Sequence, residues 1–468
     1  MDSKTKKLHL KSEVGLVGGV SLIAGVMIGS GIFMSPQTVL LNIGSPGAGL
    51  VIWACCGLLA VLASLSYAEL GTVIRESGGE YIYILRTSGN LMAFVFAFTS
   101  IVVVRPTSLT GVALSFAQNA VAPFYEECPP PVVVVKCVAA IGILFLTIVN
   151  CLNVRSAVAV TVFFMVVKLF ALVVIVIGGM VFLIQGNTAN LQNTFEGTNL
   201  NISTIGMAFY QCLWSYDGWN NLNSVTEELK RPEVNLPRAL MIAIPMVTIL
   251  YLLVNVSYLA VMTPREMAFS SAVAVTWGNK VLGGWGWVMS IAAALSSFGS
   301  LNGSFFSGGR VCFVAAREGH MPDILAMAHV RRLTPSPALI FTTVISLIVL
   351  IPGDFEGIVN FFSFTAWFFY GVTLSGLLYL KIKKRDLPRT YTVPIIIPIL
   401  VLLAAVFLVL APIIDNPQIE YLYVTLFILS GVLIYVPFIH YKLFPGLLNK
   451  LTVFLQLFLE VAPADKNL

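Results

Sequence analysis

The sequence predicts an all-α polytopic membrane protein. Of its 468 residues, 58% are hydrophobic and only 10% are charged, whereas soluble domains carry roughly 25% charged residues. Apolar runs of about 20 residues, the length that crosses a bilayer as a helix, recur along nearly the whole chain. We predict twelve spans, at about 14–40, 46–73, 92–122, 132–151, 157–184, 203–226, 239–262, 284–309, 337–352, 357–380, 393–414 and 421–441.

Positive charge indicates the orientation of these spans. If both termini are cytoplasmic, most of the 27 Lys and Arg residues fall in cytoplasmic segments, as the positive-inside rule requires. The first apolar run follows several lysines and lacks a clear cleavage site, so we expect it to remain as a span rather than act as a signal peptide. The sequence therefore predicts a multi-pass protein with cytoplasmic N- and C-termini.

The first span is interrupted at Gly29-Ser30-Gly31, which predicts a broken helix. Backbone N–H and C=O groups released within a membrane are tolerated only when they are buried in protein or line a water-filled cavity. N–H groups at the start of a half-helix, together with the helix dipole, attract an anion. Residues Ile28 to Gly31 are thus a candidate cradle for a carboxylate, although glycines here would also suit close helix packing.

A second interruption, Tyr216-Asp217-Gly218, lies in the sixth span. The two breaks predict an inverted repeat of residues 14–184 and 203–380, since corresponding breaks in two halves indicate a substrate site near the membrane midplane. The remaining predicted segments are a cytoplasmic N-terminus (1–13), an extracellular loop (185–202), spans eleven and twelve (381–441), and a cytoplasmic amphipathic helix with a tail (442–468).

Ionisable residues within membrane spans are costly and indicate function. Asp217 would face a cationic side chain or the substrate ammonium, or else cap the half-helix that follows it. Lys168, the single charge in span five, would replace a coupling sodium ion and join two helices, or else reach toward the interface. Arg105 is a possible selectivity residue, as a partner of Asp217 or an anion contact, with a purely structural ion pair as the alternative.

Two further residues are singled out by their positions. Trp214 directly precedes the second break and is a candidate gate, although aromatic residues in membrane helices also serve packing. Cys128 lies in a predicted extracellular loop, where a lone thiol suggests a disulfide to another chain or an unpaired surface cysteine. The sequence contains no catalytic, metal-ligand or phosphate-binding motif, so it does not support an enzyme, a cofactor or a nucleic-acid partner.

Six ordered motifs resemble a known family. They are Gly29-Ser-Gly-Ile-Phe33 with Ser35-Pro36, Tyr67-Ala-Glu-Leu-Gly71, Ser77-Gly-Gly-Glu-Tyr81, Tyr216-Asp-Gly-Trp219, Thr226-Glu-Glu-Leu229 and Ala316-Arg-Glu-Gly-His320. Together they resemble the light chains of the heteromeric amino acid transporters of the APC superfamily, over nearly the whole chain. Tyr216-Asp-Gly218, Phe195-Glu-Gly197 and Arg331-Arg-Leu-Thr-Pro335 make the system b-zero-plus branch the most similar, which exchanges dibasic amino acids and cystine for neutral ones.

The resemblance implies a fold, a function and roles for individual residues. The fold would be the APC/LeuT-like inverted repeat with broken helices 1 and 6, and the protein a sodium-independent plasma-membrane exchanger. The first break would bind the substrate carboxylate, and carbonyls of both breaks its amino group. Trp214 would gate the site, Asp217 meet cationic side chains and Lys168 account for sodium independence. Cys128 would link the chain to a single-span glycoprotein heavy chain of the rBAT or 4F2 type.

One position departs from the pattern of the branch. Arg105-Pro106-Thr107 stands where the b-zero-plus type has Lys-Pro-Thr, and Arg-Pro is the pattern of the cystine/glutamate exchanger, which lacks an aspartate matching Asp217. An aromatic-preferring relative or an anionic cystine/glutamate-type exchanger therefore stays open as an alternative. So do a channel, and a structural subunit that serves only the trafficking of its partner.

Overall fold

The computed structural model describes residues 14–29, 31–76, 78–125, 128–152, 154–192, 194–330, 334–387, 391–415, 419–437 and 445–463. Helices dominate these residues. The helices of the first half are α1 (Leu16–Met27), α2 (Ser35–Ile43), α3 (Pro46–Val73), α4 (Glu80–Ser88), α5 (Asn90–Thr99), α6 (Arg105–Val121), α7 (Val132–Leu152) and α8 (Val154–Ile184). A π-helix, Ser100–Val104, joins α5 to α6, and short 3-10 helices lie at Ala122–Phe124 and Ala189–Leu191.

The second half continues with helices of similar length. They are α9 (Ile202–Tyr216), α10 (Pro232–Val261), α11 (Pro264–Ala268), α12 (Val273–Val281), α13 (Trp287–Arg317), α14 (Ser336–Leu350), α15 (Phe355–Lys383), α16 (Ile396–Asp415), α17 (Ile419–Tyr435) and α18 (Pro445–Leu459). Further 3-10 helices lie at Asn221–Glu228, Gly283–Trp285 and Asp323–Ala326. Strands β1 (Met327–His329) and β2 (Val461–Pro463) pair antiparallel.

Each predicted span overlaps at least one helix among the described residues. Among the described residues, seven helical stretches are long and apolar enough to cross a membrane: Pro46–Val73, Asn90–Phe124, Val132–Leu152, Val162–Ile184, Pro232–Val261, Phe355–Lys383 and Ile396–Ile414. The apolar helices α1, α14 and most of α17 are shorter. This composition is that of a polytopic helical membrane protein.

Both predicted interruptions are present in the structure. In the first, α1 ends at Met27 and α2 begins at Ser35. In the second, α9 ends at Tyr216, and the chain continues as the 3-10 helix Asn221–Glu228 rather than as an α-helix. Gly218 has a φ of +106°, a conformation that side chains disfavour, so glycine permits the turn at this break.

The two broken spans lie side by side near the centre of the helical bundle. Helix α1 packs against α8, α10 and α13, and it also contacts the 3-10 helix that follows the second break. Helix α2, which follows the first break, packs against α9, which precedes the second. The leading half of each broken span therefore neighbours the trailing half of the other, which places the two breaks next to each other.

The breaks approach so closely that side chains are excluded from parts of the contact. A Cβ added at Gly31 would lie 2.3 Å from the Ser215 Cα atom, and one added at Gly218 would lie 2.6 Å from Val26 Cγ1. Real Cβ atoms do not approach other atoms this closely, so the glycines are needed for the packing of the two broken spans as well as for their bends.

The linker between α3 and α5 folds back into the protein. Much of this polar segment forms α4 (Glu80–Ser88). The positive φ angles of Gly78 and Gly79 turn the chain inward just before Glu80. On its outer side, Arg86 donates to Glu76 at 2.8 and 3.0 Å, and the carboxylate of Glu76 raises the pKa of the Arg86 guanidinium through these hydrogen bonds.

A prediction follows from the Gly31 contact. In Gly31→Ala the new methyl group would meet backbone atoms of Ser215, so the two breaks must separate at a cost of about 1–3 kcal/mol in folding stability. We expect a lower thermal unfolding midpoint in detergent than for the native chain. Gly284→Ala is the control, because nothing lies within 4 Å of a Cβ added there. Equal midpoints for the two variants would contradict the contact.

Candidate functional site

The carbonyl groups around the first break find donors on three other helices. A helix that ends inside a protein leaves its last carbonyls without partners in the helix, and these must be satisfied from elsewhere. Lys168 Nζ on α8 donates to Gly25 O, Ser300 Oγ and Ser297 Oγ on α13 donate to Val26 O and Gly29 O, and the hydroxyls of Tyr251 and Tyr258 on α10 donate to Met27 O and Ile32 O. Side chains of the protein itself therefore satisfy the carbonyl groups around the break.

The N–H groups of the same break are in the opposite situation. Within the described residues, the N–H groups of Gly29, Gly31, Ile32 and Phe33 donate to no other described group. Ile32 and Phe33 are completely buried, as is the predicted site residue Ile28. Buried donors normally have a partner, so this row of N–H groups is suited to an anionic ligand. Ser30, which was predicted to belong to the cradle, lies outside the described residues.

The second break presents a carboxylate. Asp217 follows the last residue of α9 and is half-buried. Its Oδ1 accepts a hydrogen bond from the Tyr370 hydroxyl on α15 at 3.1 Å, and the Gly218 N–H also donates to the carboxylate. The side chain is therefore fixed by a hydroxyl and a backbone amide. Neither of these donors carries the positive charge that would neutralise it.

Two predicted site residues use their side chains to build the scaffold. The Tyr216 hydroxyl donates to Trp53 O at 3.1 Å, and its ring packs against Trp53 and Tyr251. Only the backbone of Tyr216 is therefore available to a ligand. The Trp214 ring lies edge-on to Phe355 and Phe362 and reaches the surface of Gly111 on α6. It thus bridges α6 and α15 at one end of the break, which is where a gate would sit.

One hydroxyl connects the two breaks. Tyr251 on α10 is completely buried, and its hydroxyl lies within hydrogen-bonding reach of both Met27 O and Ser215 O, the latter at 2.7 Å. A hydroxyl has a single proton, so Tyr251 donates to the two carbonyls alternately or forms one hydrogen bond shared by both. The geometry of the two breaks is therefore coupled through α10.

A group of charged residues surrounds Asp217. Arg105 begins α6, and its guanidinium interacts electrostatically with Asp217 and with the buried Glu80. Its Nη1 also lies 3.5 Å from Asn221 Oδ1, just after the second break. Glu80 was not predicted as a site residue, because it stands in the polar linker. The glycines at 78 and 79 are the sequence signal that it turns inward.

Lys168 and Cys128 occupy different parts of the molecule. Lys168 is completely buried between α8, α1 and α13, with Cε and Nζ 3.1 and 3.3 Å from a Cβ added at Gly299. Cys128 is exposed in the connection between α6 and α7. Helix α6 has 17 residues and rises 1.5 Å per residue, so it spans about 25 Å from Arg105 to its far end, and Cys128 follows that end in the sequence. The structure thus brings the predicted binding residues together and leaves the predicted disulfide site apart.

The chain is similar to known amino acid transporters over almost its full length. The sequence model of the family described as amino acid permease matches residues 14–438. The human b(0,+)-type amino acid transporter 1 is 49% identical over 466 residues, which cover 99% of this chain and 95% of that protein. The human cystine/glutamate transporter is 39% identical over 467 residues, covering 99% of this chain and 93% of that protein.

A third human protein, large neutral amino acids transporter small subunit 2, is 43% identical over 411 residues, which cover 87% of this chain and 77% of that protein. The first two matches span both breaks and the helices that surround them. They confirm the family that the six motifs indicated. The chain therefore belongs to the amino acid permease family, and it is an amino acid transporter of the heteromeric group within that family.

Proposed function

We propose that the protein is a sodium-independent exchanger of cationic and neutral L-amino acids and cystine. The observation that carries this proposal is that two adjacent breaks present opposite kinds of group, namely hydrogen-bond donors in the first and a carboxylate in the second. The first break offers buried N–H donors, which suit the carboxylate that every amino acid has. The second offers the Asp217 carboxylate, which suits a cationic side chain. The residues of this site are Ile28, Gly29, Ser30, Gly31, Tyr216, Asp217 and Gly218, with Tyr216 acting through its backbone.

Sodium independence is supported by Lys168. Its ammonium group donates to Gly25 O at the end of α1 and belongs to α8, so one fixed cation joins the two helices. In a sodium-coupled transporter, a bound sodium ion coordinated by the freed carbonyls of a broken helix would join the helices in this way. Lys168 is thus a permanent substitute for that ion.

Alternating access is supported by the internal symmetry of the contacts. If residues 14–184 and 203–380 form inverted repeats, each contact in one half needs a counterpart in the other. In chain order, α1, α3, α6, α7 and α8 of the first repeat correspond to α9, α10, α13, α14 and α15 of the second. The contact of α3 with α9 then has its counterpart in the contact of α10 with α1. Likewise, the contact of α6 with α7 corresponds to that of α13 with α14, and the contact of α1 with α8 to that of α9 with α15. This pattern is what a twelve-span fold of the APC/LeuT type requires, in which one repeat rocks against the other.

The exposed thiol supports a partner subunit. We infer a plasma-membrane location, cytoplasmic termini and a disulfide from Cys128 to a single-span glycoprotein heavy chain, of the rBAT or 4F2 type. The positive-inside distribution of Lys and Arg supports an extracellular position for the α6–α7 connection, and disulfides persist outside the cell. Arg105 supports a second candidate, a cystine/glutamate-type exchanger, because a guanidinium at the site would also accept an anionic side chain.

The exchange proposal predicts that transport depends on internal substrate. Uptake of labelled arginine, leucine and cystine into proteoliposomes should require amino acid inside and should not change when sodium is replaced by choline. Uptake into empty vesicles that follows the electrochemical gradient would indicate a channel. An absence of transport from a chain that still delivers its partner to the cell surface would indicate a trafficking subunit.

Asp217 is predicted to recognise cationic side chains. A hydrogen-bonded charge is worth about 1.5–3 kcal/mol, so Asp217→Asn should raise the apparent Km for arginine about 10–100-fold and leave that for leucine nearly unchanged. The control is Asp354→Asn, because Asp354 caps α15 at an exposed position and asparagine caps equally well. Equal losses for arginine and leucine in Asp217→Asn would remove the proposed role.

Cys128 is predicted to form the intersubunit disulfide. Cys128→Ser should abolish the high-molecular-weight adduct with the heavy chain on non-reducing gels, while exchange by the reconstituted chain persists. Cys137→Ser is the matched control, since Cys137 is also exposed but lies within α7. An adduct that survives in Cys128→Ser and disappears in Cys137→Ser would contradict the prediction, because it would show that Cys137 forms the bond.

A further inference from the structure

A second carboxylate lies beside the site. Glu80 is only 7% exposed, although it belongs to the linker helix α4 rather than to a span. The Asn220 amide in the second break donates to its Oε1. Together with Arg105 and Tyr370, Glu80 also lines a narrow cavity between α5, α6 and α15. This acidic side chain is therefore directed into the centre of the molecule, next to Asp217.

The charges around this cavity do not balance. Glu80 and Asp217 each interact electrostatically with the Arg105 guanidinium and repel each other. Two carboxylates and one guanidinium leave a net charge of −1 when both acids are ionised. In surroundings of low dielectric constant, charge interactions are strong, so the carboxylate that Arg105 compensates is a poor partner for any other cation. The two acids thus compete for one guanidinium.

We propose that Glu80 is a positioning residue for substrate specificity, which engages Arg105 and so leaves Asp217 available to a cationic substrate side chain. This inference rests on the exchange function proposed above and deepens it. When Glu80 is ionised, a cationic substrate brings the site to neutrality. When Glu80 is neutral, Arg105 already compensates Asp217, and a cationic side chain adds an unbalanced positive charge, whereas a neutral substrate is indifferent to the change.

The competition is sensitive to pH. Removal from water raises the pKa of the Glu80 carboxyl to about 7, an increase that Asp217 reinforces and that Arg105 and the Asn220 amide oppose. The ionised fraction of such a group rises from about 10% at pH 6 to about 90% at pH 8. Because ionised Glu80 is the form that engages Arg105, preference for cationic substrates should rise with pH across this range.

The tyrosines, Arg105 and His320 near Glu80 do not produce this dependence, and a contribution from Asp217 would persist in Glu80→Gln. The titratable groups that face Glu80 are Tyr67 on α3, Tyr83 on α4, Arg105 on α6, Asp217 in the second break and Tyr370 on α15. Phenols and guanidinium groups keep their ordinary charge between pH 6 and pH 8. His320 bonds the neighbouring Tyr81 hydroxyl at 2.5 Å, and burial lowers its pKa, so it stays neutral over most of this range.

The test compares arginine with leucine in exchange assays at pH 6 and pH 8. For the native chain, the ratio of apparent affinity for arginine to that for leucine should rise several-fold, up to about tenfold, from pH 6 to pH 8. Glu80→Gln should have the low ratio at both pH values, because glutamine has a similar shape and cannot ionise. Glu266→Gln is the control at an exposed surface site and should behave like the native chain.

A double variant distinguishes a change in substrate specificity from a general loss of folding or transport. If Glu80 acts through Arg105, removal of the guanidinium in Glu80→Gln/Arg105→Gln should restore the preference for arginine that Glu80→Gln lost. An equal loss of arginine and leucine transport in Glu80→Gln, or a pH dependence that persists in it, would overturn the inference. If Glu80→Gln does not fold, an arginine-to-leucine affinity ratio that is the same at pH 6 and pH 8 in the native chain would overturn the inference. Absence of any exchange by the native chain would instead refute the proposed function.

Discussion

The structure depends on how backbone groups are satisfied where two helices break inside an apolar interior. An unsatisfied backbone group there costs several kcal/mol, so a break persists only if its surroundings supply partners. Side chains from α8, α10 and α13 supply them for the carbonyls around the first break. Among the described residues of that break, the N–H groups of Gly29, Gly31, Ile32 and Phe33 donate to no described group. This asymmetry between carbonyls and amides supports the proposal that the break binds a carboxylate.

The second break presents a carboxylate, and further charged side chains lie near it. Asp217 is fixed by Tyr370 and its neighbouring amide, and it shares Arg105 with Glu80. The affinity for a cationic side chain thus depends on the whole set of charges rather than on Asp217 alone. If the proposed competition for Arg105 operates, its positive charge is compatible with cationic substrates, which would account for the mixed pattern that the sequence presents.

Much of the fold could be predicted because membrane spans have a strong sequence signature. The bounds of α3 and both breaks follow from apolar length and from glycine positions. The direction of individual side chains does not follow in the same way. Tyr216 packs against Trp53 and Tyr251, which are distant in sequence, and Glu80 enters the interior through a turn within a polar segment. The pairing of β1 with β2 joins residues about 130 positions apart, a separation at which local propensity carries no information.

We propose that one amino acid bridges the two breaks, with its carboxylate on the first and its side chain toward the second. The most direct measurement is an experimental structure of the protein with bound arginine. We expect carboxylate oxygens within about 3 Å of the N–H groups between Gly29 and Phe33, and a guanidinium directed at Asp217. Arginine bound in the opposite orientation, or at a place that contacts neither break, would contradict it.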